Sequence, residues 1–171
     1  MTLPYMTHFP KGLERIGGQP TNFIPKLWLA MLNGIAMNAG QYTKMFALLS
    51  EADKELLSTV KPKIHTFRED HHDRWQPGTL IHSVIHNRTP QRLQFLPTIP
   101  CAGTQKVHIH HYSKEMYGDR PSDIHIDNIR MTPQEVEQMA FNDGFECVQD
   151  FFAYFNKDWK GKIIHLTELR Y

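Results

Sequence analysis

The chain changes texture at residue 62. Beyond it, five short runs concentrate strand formers: TLIHSVI (79–85), RLQFL (92–96), QKVHIHHY (105–112), DIHIDNIR (123–130) and KIIHLTEL (162–169). Turn residues such as Pro77-Gly78 punctuate them. Helical spacing is confined to the first third and to the stretch before the last run. Five or six short strands with helices in those two places form neither a βαβ repeat nor a pure sandwich. The order predicts an α+β domain, built on a small, strongly curved mixed β-sheet or β-barrel with flanking helices.

Residues 1–20 carry Pro4, Pro10, Pro20 and the Gly17-Gly18 pair. They read as an irregular N-terminal lead-in, with residues 21–171 as the single domain. In TNFIPKLWLAML, Phe23, Ile24, Leu27, Trp28 and Met31 fall at helical spacing after Thr21 or Asn22 as N-cap. Pro25 is tolerated in a first turn. Ser50 to Thr59 offers a short helix with Asp53 three residues after a capping serine. Thr132, Pro133 and Glu135 spell a capping box with proline at the first helical position. That helix should run to about Asn142 and stop at Gly144, and VQDFFAYF should add a turn or two.

Lysine and arginine total 19 against 18 acids, a formal net charge of +1. Such balance does not mark a large nucleic-acid footprint, although a local basic face is compatible with it. Cys101 and Cys147, with no CxxC pair, do not indicate a disulfide framework and read as small buried hydrophobes. The opening MTLPYMTHFPKG lacks a signal-like apolar stretch, and no run reaches the 18 or so apolar residues of a membrane span. A cytoplasmic protein with no membrane partner is expected. The sequence says nothing of its oligomeric state.

KPKIHTFREDHHDRW (61–75) gathers ten charged or histidine residues in fifteen. A solvated, salt-bridged loop is the plainest reading. Among the eleven histidines, His108 and His110 share a strand face, and His71, His72 and Asp73 could add metal ligands only if the fold brought them close. No metal-binding spacing supplies a third or fourth ligand, so neither metal nor cofactor is expected, and exposed strand histidines are the simpler reading. Lys63, Thr66 and Arg68 suggest other chemistry. A threonine hydroxyl needs a base, which a lysine of lowered pKa can provide, and an arginine suits a phosphate or an oxyanion. In an ideal strand Lys63 and Thr66 would face opposite sides, so cooperation requires a bend, or a turn entering a strand.

KIHTFREDHHDRWQPG resembles the opening KxxTxR and W-x-x-G motifs of the ASCH domain family, part of the PUA-like superfamily. The matching positions are Lys63, Thr66, Arg68, Trp75 and Gly78. MTPQEVEQMAFNDGFECVQDFFAYF resembles that family's helix, acidic-Gly-Phe turn and second helix, and KIIHLTEL its closing strand. The leading helix, with Phe23, Lys26 and Trp28, is also similar. Together these cover roughly residues 20–169. The resemblance implies a PUA-like barrel and a cleft beside it that holds RNA or a nucleotide or nucleoside, formed by Lys63, Thr66, Arg68 and Asp143. Arg74 and Trp75 join the candidate ligand-binding residues, and Arg88, Arg92 and Tyr112 are further phosphate or stacking candidates. Some small members are amidohydrolases that deacylate acetylcytidine, which would make Lys63, Thr66 and Asp143 catalytic here. Asp143 stands where they carry glutamate, one methylene longer. A third expectation is a protein-interaction domain without chemistry.

Overall fold

The computed structural model describes residues 1–34, 39–112 and 122–171. Nine strands and five helices are found among them. In chain order these are β1 (Thr2–Pro4), α1 (Phe23–Gly34), α2 (Ala39–Phe46), α3 (Glu51–Leu56), β2 (His65–Arg68) and β3 (Leu80–Ile85). There follow β4 (Leu93–Gln94), β5 (Ile99–Pro100), β6 (Gly103–His110), β7 (Asp123–Ile126) and β8 (Ile129–Arg130). The chain ends with α4 (Pro133–Asn142), α5 (Val148–Tyr154) and β9 (Trp159–His165).

The α+β class holds, but the strands make two sheets rather than a closed barrel. One has four strands, with β1, β4 and β5 all paired to β3. The other has five, in the order β2-β9-β6-β7-β8. At its outer edge β2 meets β1 through a side chain: the Arg68 guanidinium donates to the Pro4 carbonyl at 2.5 Å. Proline has no N–H to return to a ladder, which helps explain why the two edges do not zip together.

The lead-in is not irregular throughout. Thr2–Pro4 pairs in parallel with His82–Val84, and Leu3, Tyr5, Phe9 and Ile16 are buried in the core. A three-residue strand ending in proline carries too little pattern to be read locally. Its partner lies some eighty residues away, and that non-local pairing defines it.

Local signals placed α1, α3, α4 and α5, but not α2. Ser50 caps α3 by accepting from the Asp53 N–H at 3.1 Å. Thr132 and Glu135 form the reciprocal box that starts α4, with Pro133 at the first position. α1 sends Phe23, Leu27, Trp28 and Met31 inward at helical spacing. Against this layer, β6, β7 and β9 turn Val107, Ile109, Ile124, Ile126 and Ile163 into the core, and α5 adds Phe151. The aromatic cluster Phe67, Phe151, Phe155 and Trp159 is packed at ring separations of 4.8 to 5.7 Å. No helix among the described residues is long and apolar enough to cross a membrane.

Candidate functional site

Asp143, Gly144 and Phe145 end α4 in a Schellman motif. The Phe145 N–H bonds to the Ala140 carbonyl at 3.0 Å and the Gly144 N–H to Phe141 at 2.8 Å. Gly144 has φ +90°, and a Cβ there would press on Phe23 and the Lys63 stem at 3.1 and 3.2 Å. Glycine is therefore demanded twice, by the backbone and by the space. The turn delivers Asp143 to the cleft wall with its side chain almost wholly covered.

Lys63 arrives from the other side. It precedes β2, so the strand's alternation does not apply to it. Its N–H bonds to the Lys26 carbonyl of α1 at 3.0 Å, and the Ile64 N–H bonds to Asn142 at the end of α4 at 2.9 Å. Three elements thus meet at one dipeptide. The Lys63 Nζ donates to both the backbone oxygen and the carboxylate of Asp143 and lies 4.5 Å from the Phe23 ring centroid. Burial pushes Lys63 down to about 8, more than the facing carboxylate can hold it up. Burial alone would raise Asp143, but Lys63 and His65 together outweigh it and hold the acid below the usual carboxylate range. The pair is a buried ammonium–carboxylate near neutrality, with the ammonium its less secure member.

Thr66 and Arg68 follow on β2 and share a strand face. With Lys63 and Asp143 they line a cavity of about 450 Å³. Its wall is aromatic, with Tyr5, Phe9, Phe145, Tyr154, Phe155 and Trp159, and Lys157 and Asn156 also line it. The Thr66 hydroxyl makes no hydrogen bond within the described residues, and the Lys63 Nζ donates to Asp143. Arg68 is fixed by the carbonyls of Phe67 at 3.0 Å and Pro4 at 2.5 Å and sits 5.5 Å from the Tyr5 ring centroid. Its Nε is buried without a partner. No carboxylate pairs with this guanidinium among the described residues.

The remaining candidates lie elsewhere. Trp75 is a core residue, 4% exposed, and Arg74 is exposed outside the cavity lining. Both are placed by Asp70, whose carboxylate accepts from their N–H groups at 2.9 Å each. Lys162 lies 3.2 Å from that carboxylate and also pairs with Asp73. The crowded charges of 69–75 therefore mostly serve a loop anchored on a buried acid. Arg88 and Arg92 belong to the loop before β4 and line no part of the cleft. Tyr112 donates its hydroxyl to Asp123 at 2.6 Å.

Two parts of the site were missed by sequence reasoning. Tyr5 and Phe9 come from the lead-in, and Lys26, whose Nζ donates to the Gly144 carbonyl at 2.7 Å, braces the turn from α1. Alternating apolar residues among the N-terminal prolines were the available signal. His108 and His110 do share a face, with ring centroids 4.8 Å apart. No cluster able to hold a metal ion occurs among the described residues. Cys101 is buried, with burial pushing its thiol up, and Cys147 is a free thiol at the start of α5. Comparison with protein-family models, curated proteins and solved structures finds no significant match.

Proposed function

We propose that the protein binds a nucleotide or nucleoside, free or as part of an RNA strand, in the cleft lined by Lys63, Thr66, Arg68 and Asp143. Arg68 carries this reading. A guanidinium held by two backbone carbonyls, with a buried unpartnered Nε and no carboxylate paired with it among the described residues, is preorganised for an anion. The aromatic wall offers faces for a base. The buried Lys63–Asp143 pair supplies donors and acceptors that discriminate among base edges.

Titration with the four ribonucleoside monophosphates and short single-stranded RNAs, followed by calorimetry, tests this. Arg68→Leu should weaken binding by about 10- to 100-fold, the worth of one charge-assisted contact. RNA affinity should fall steeply with salt. Absence of heat and of saturation across the whole panel would end the reading.

A second reading, an amidohydrolase acting on acetylcytidine-like nucleosides, is favoured by the depressed Lys63. At pH 7 about a tenth of it is neutral and able to accept a proton. Lys63 would have to turn from Asp143 to take the Thr66 proton while the threonine oxygen attacks the amide carbonyl. The C–N bond then breaks, Asp143 relays a proton to the leaving amine, and water later frees the acyl group from Thr66. A mass-spectrometric assay on N-acylated nucleosides should show turnover that rises through about pH 8 and disappears in Thr66→Val. Equal turnover by wild type and Thr66→Val would reject this mechanism.

A further inference from the structure

A second cavity, of about 310 Å³, opens on the solvent face of the five-stranded sheet. Its floor follows from the register. His108 of β6 lies opposite Lys160 of β9 on one side and His125 of β7 on the other, so the three form a row across three strands. Lys106 sits two residues before His108 on the same face, opposite Lys162. Directly opposed like charges destabilise a sheet, yet here basic groups are stacked in two adjacent rows.

The acids nearby are mostly engaged. Asp70 and Asp73 line the cavity themselves, together with Lys162, and both pair with that lysine. Asp127 accepts from the Lys106 backbone N–H and the Gln105 side chain. Asp158 lies 3.9 Å from His110, Glu69 lies 3.4 Å from His71, and Arg130 pairs with Asp123. Lys106 and Lys160 have no carboxylate partner among the described residues. His108 is held down first by burial, then by Lys160, His110 and His125, against a weaker pull from Asp158. The Nδ1 of His125 is buried and unpartnered.

We propose that this cavity is a site for a doubly charged tetrahedral oxyanion, the phosphate group of a small phosphorylated ligand, bound by Lys106, Lys160, His108 and His125. The anion would supply the negative charge that the strand pairing leaves out, and it would draw protons onto the imidazoles. It is separate from the Arg68 cleft, and neither residue set includes members of the other.

The test is histidine-resolved NMR with three probes: inorganic sulfate, inorganic phosphate and glycerol phosphate. Sulfate keeps its charge between about pH 6 and 8, so any pH dependence of its binding belongs to the protein. Saturable shifts confined to His108 and His125 are expected, with tighter sulfate binding at pH 6 than at pH 8 and an upward move of the His108 midpoint. Lys106→Gln/Lys160→Gln should weaken binding by at least about tenfold. Lys11→Gln, outside the cavity, should not. Tighter binding of glycerol phosphate than of phosphate would identify a phosphomonoester as the occupant, and the reverse order the free ion. Shifts that never saturate, or that survive unchanged in the double variant, would overturn the proposal. Arg68→Leu leaves this readout untouched, so failure here and failure of the nucleotide reading are separable.

Discussion

Lys63→Met should cost about 3–5 kcal/mol of folding stability, and Lys63→Met/Asp143→Leu should recover most of it. The single change leaves an ionised carboxylate almost fully buried, with no ammonium to answer it. Breaking a buried pair on one side is costly, whereas replacing both members with apolar groups of similar volume is often neutral or better. His65, whose Nδ1 lies 3.6 Å from the same carboxylate, is the nearest group that could compensate by taking a proton. Urea midpoints of wild type, both single variants and the double variant give the coupling energy directly. A single-variant loss below about 1 kcal/mol would mean that the carboxylate reaches water. A double variant no better than Lys63→Met would mean that packing around the lysine stem, and not charge, holds the site. If the double variant is stable but has lost its ligand, the pair is kept for function at the expense of stability.

How much of this could be read from the chain depends on the range of the interaction involved. The capping serine before α3, the Thr132–Glu135 box and the glycine stop at Gly144 are contacts over three to five residues, and each was legible. So was the need for Lys63 to depart from strand alternation if it and Thr66 are to line one cavity, and Lys63 lies just before β2. Trp75 and Arg74 could not be separated from the cleft in advance. Their positions are fixed by the buried Asp70 carboxylate, which Lys162 neutralises from a strand more than ninety residues later. β1 was hidden for the same reason, and the alternation that includes Tyr5 and Phe9 was visible without showing which cleft it lines. Curvature is also a tertiary property. β3, β4, β6, β7 and β9 were visible as strands, but whether the outer edges join into a barrel depends on pairing between segments that no local pattern connects.

Loss of stability in acid should begin near pH 6, above the range where carboxylates titrate, and His165 should account for much of it. This side chain has no exposed surface. Its Nε2 faces the Gln105 Oε1 at 3.0 Å, so the proton belongs on Nε2, and Nδ1 is left buried without a partner. Burial, with help from His65 and Arg170, pushes it down to about 3. Burial also lowers His65 more than Asp143 raises it. Below pH 6.5 the unfolded chain binds protons that the folded chain refuses, so stability falls as pH falls through that window. At about 1.4 kcal/mol per tenfold step, His165 alone forfeits on the order of 4 kcal/mol by pH 3 to 4. The lowered carboxylates Asp70, Asp73 and Asp143 have the same sign, but their losses start only near pH 4, as protons reach the unfolded acids. The two sources are therefore separated along the pH axis. Urea midpoints measured from about pH 7.5 to 4.5 should fall in wild type and fall much less in His165→Leu. The substitution is tolerable because the Gln105 oxygen still accepts from the Tyr171 N–H at 3.0 Å. Parallel curves for the two proteins would show that the imidazole takes up its proton without opening the fold. A wild-type curve flat to pH 5 would show the same for His65.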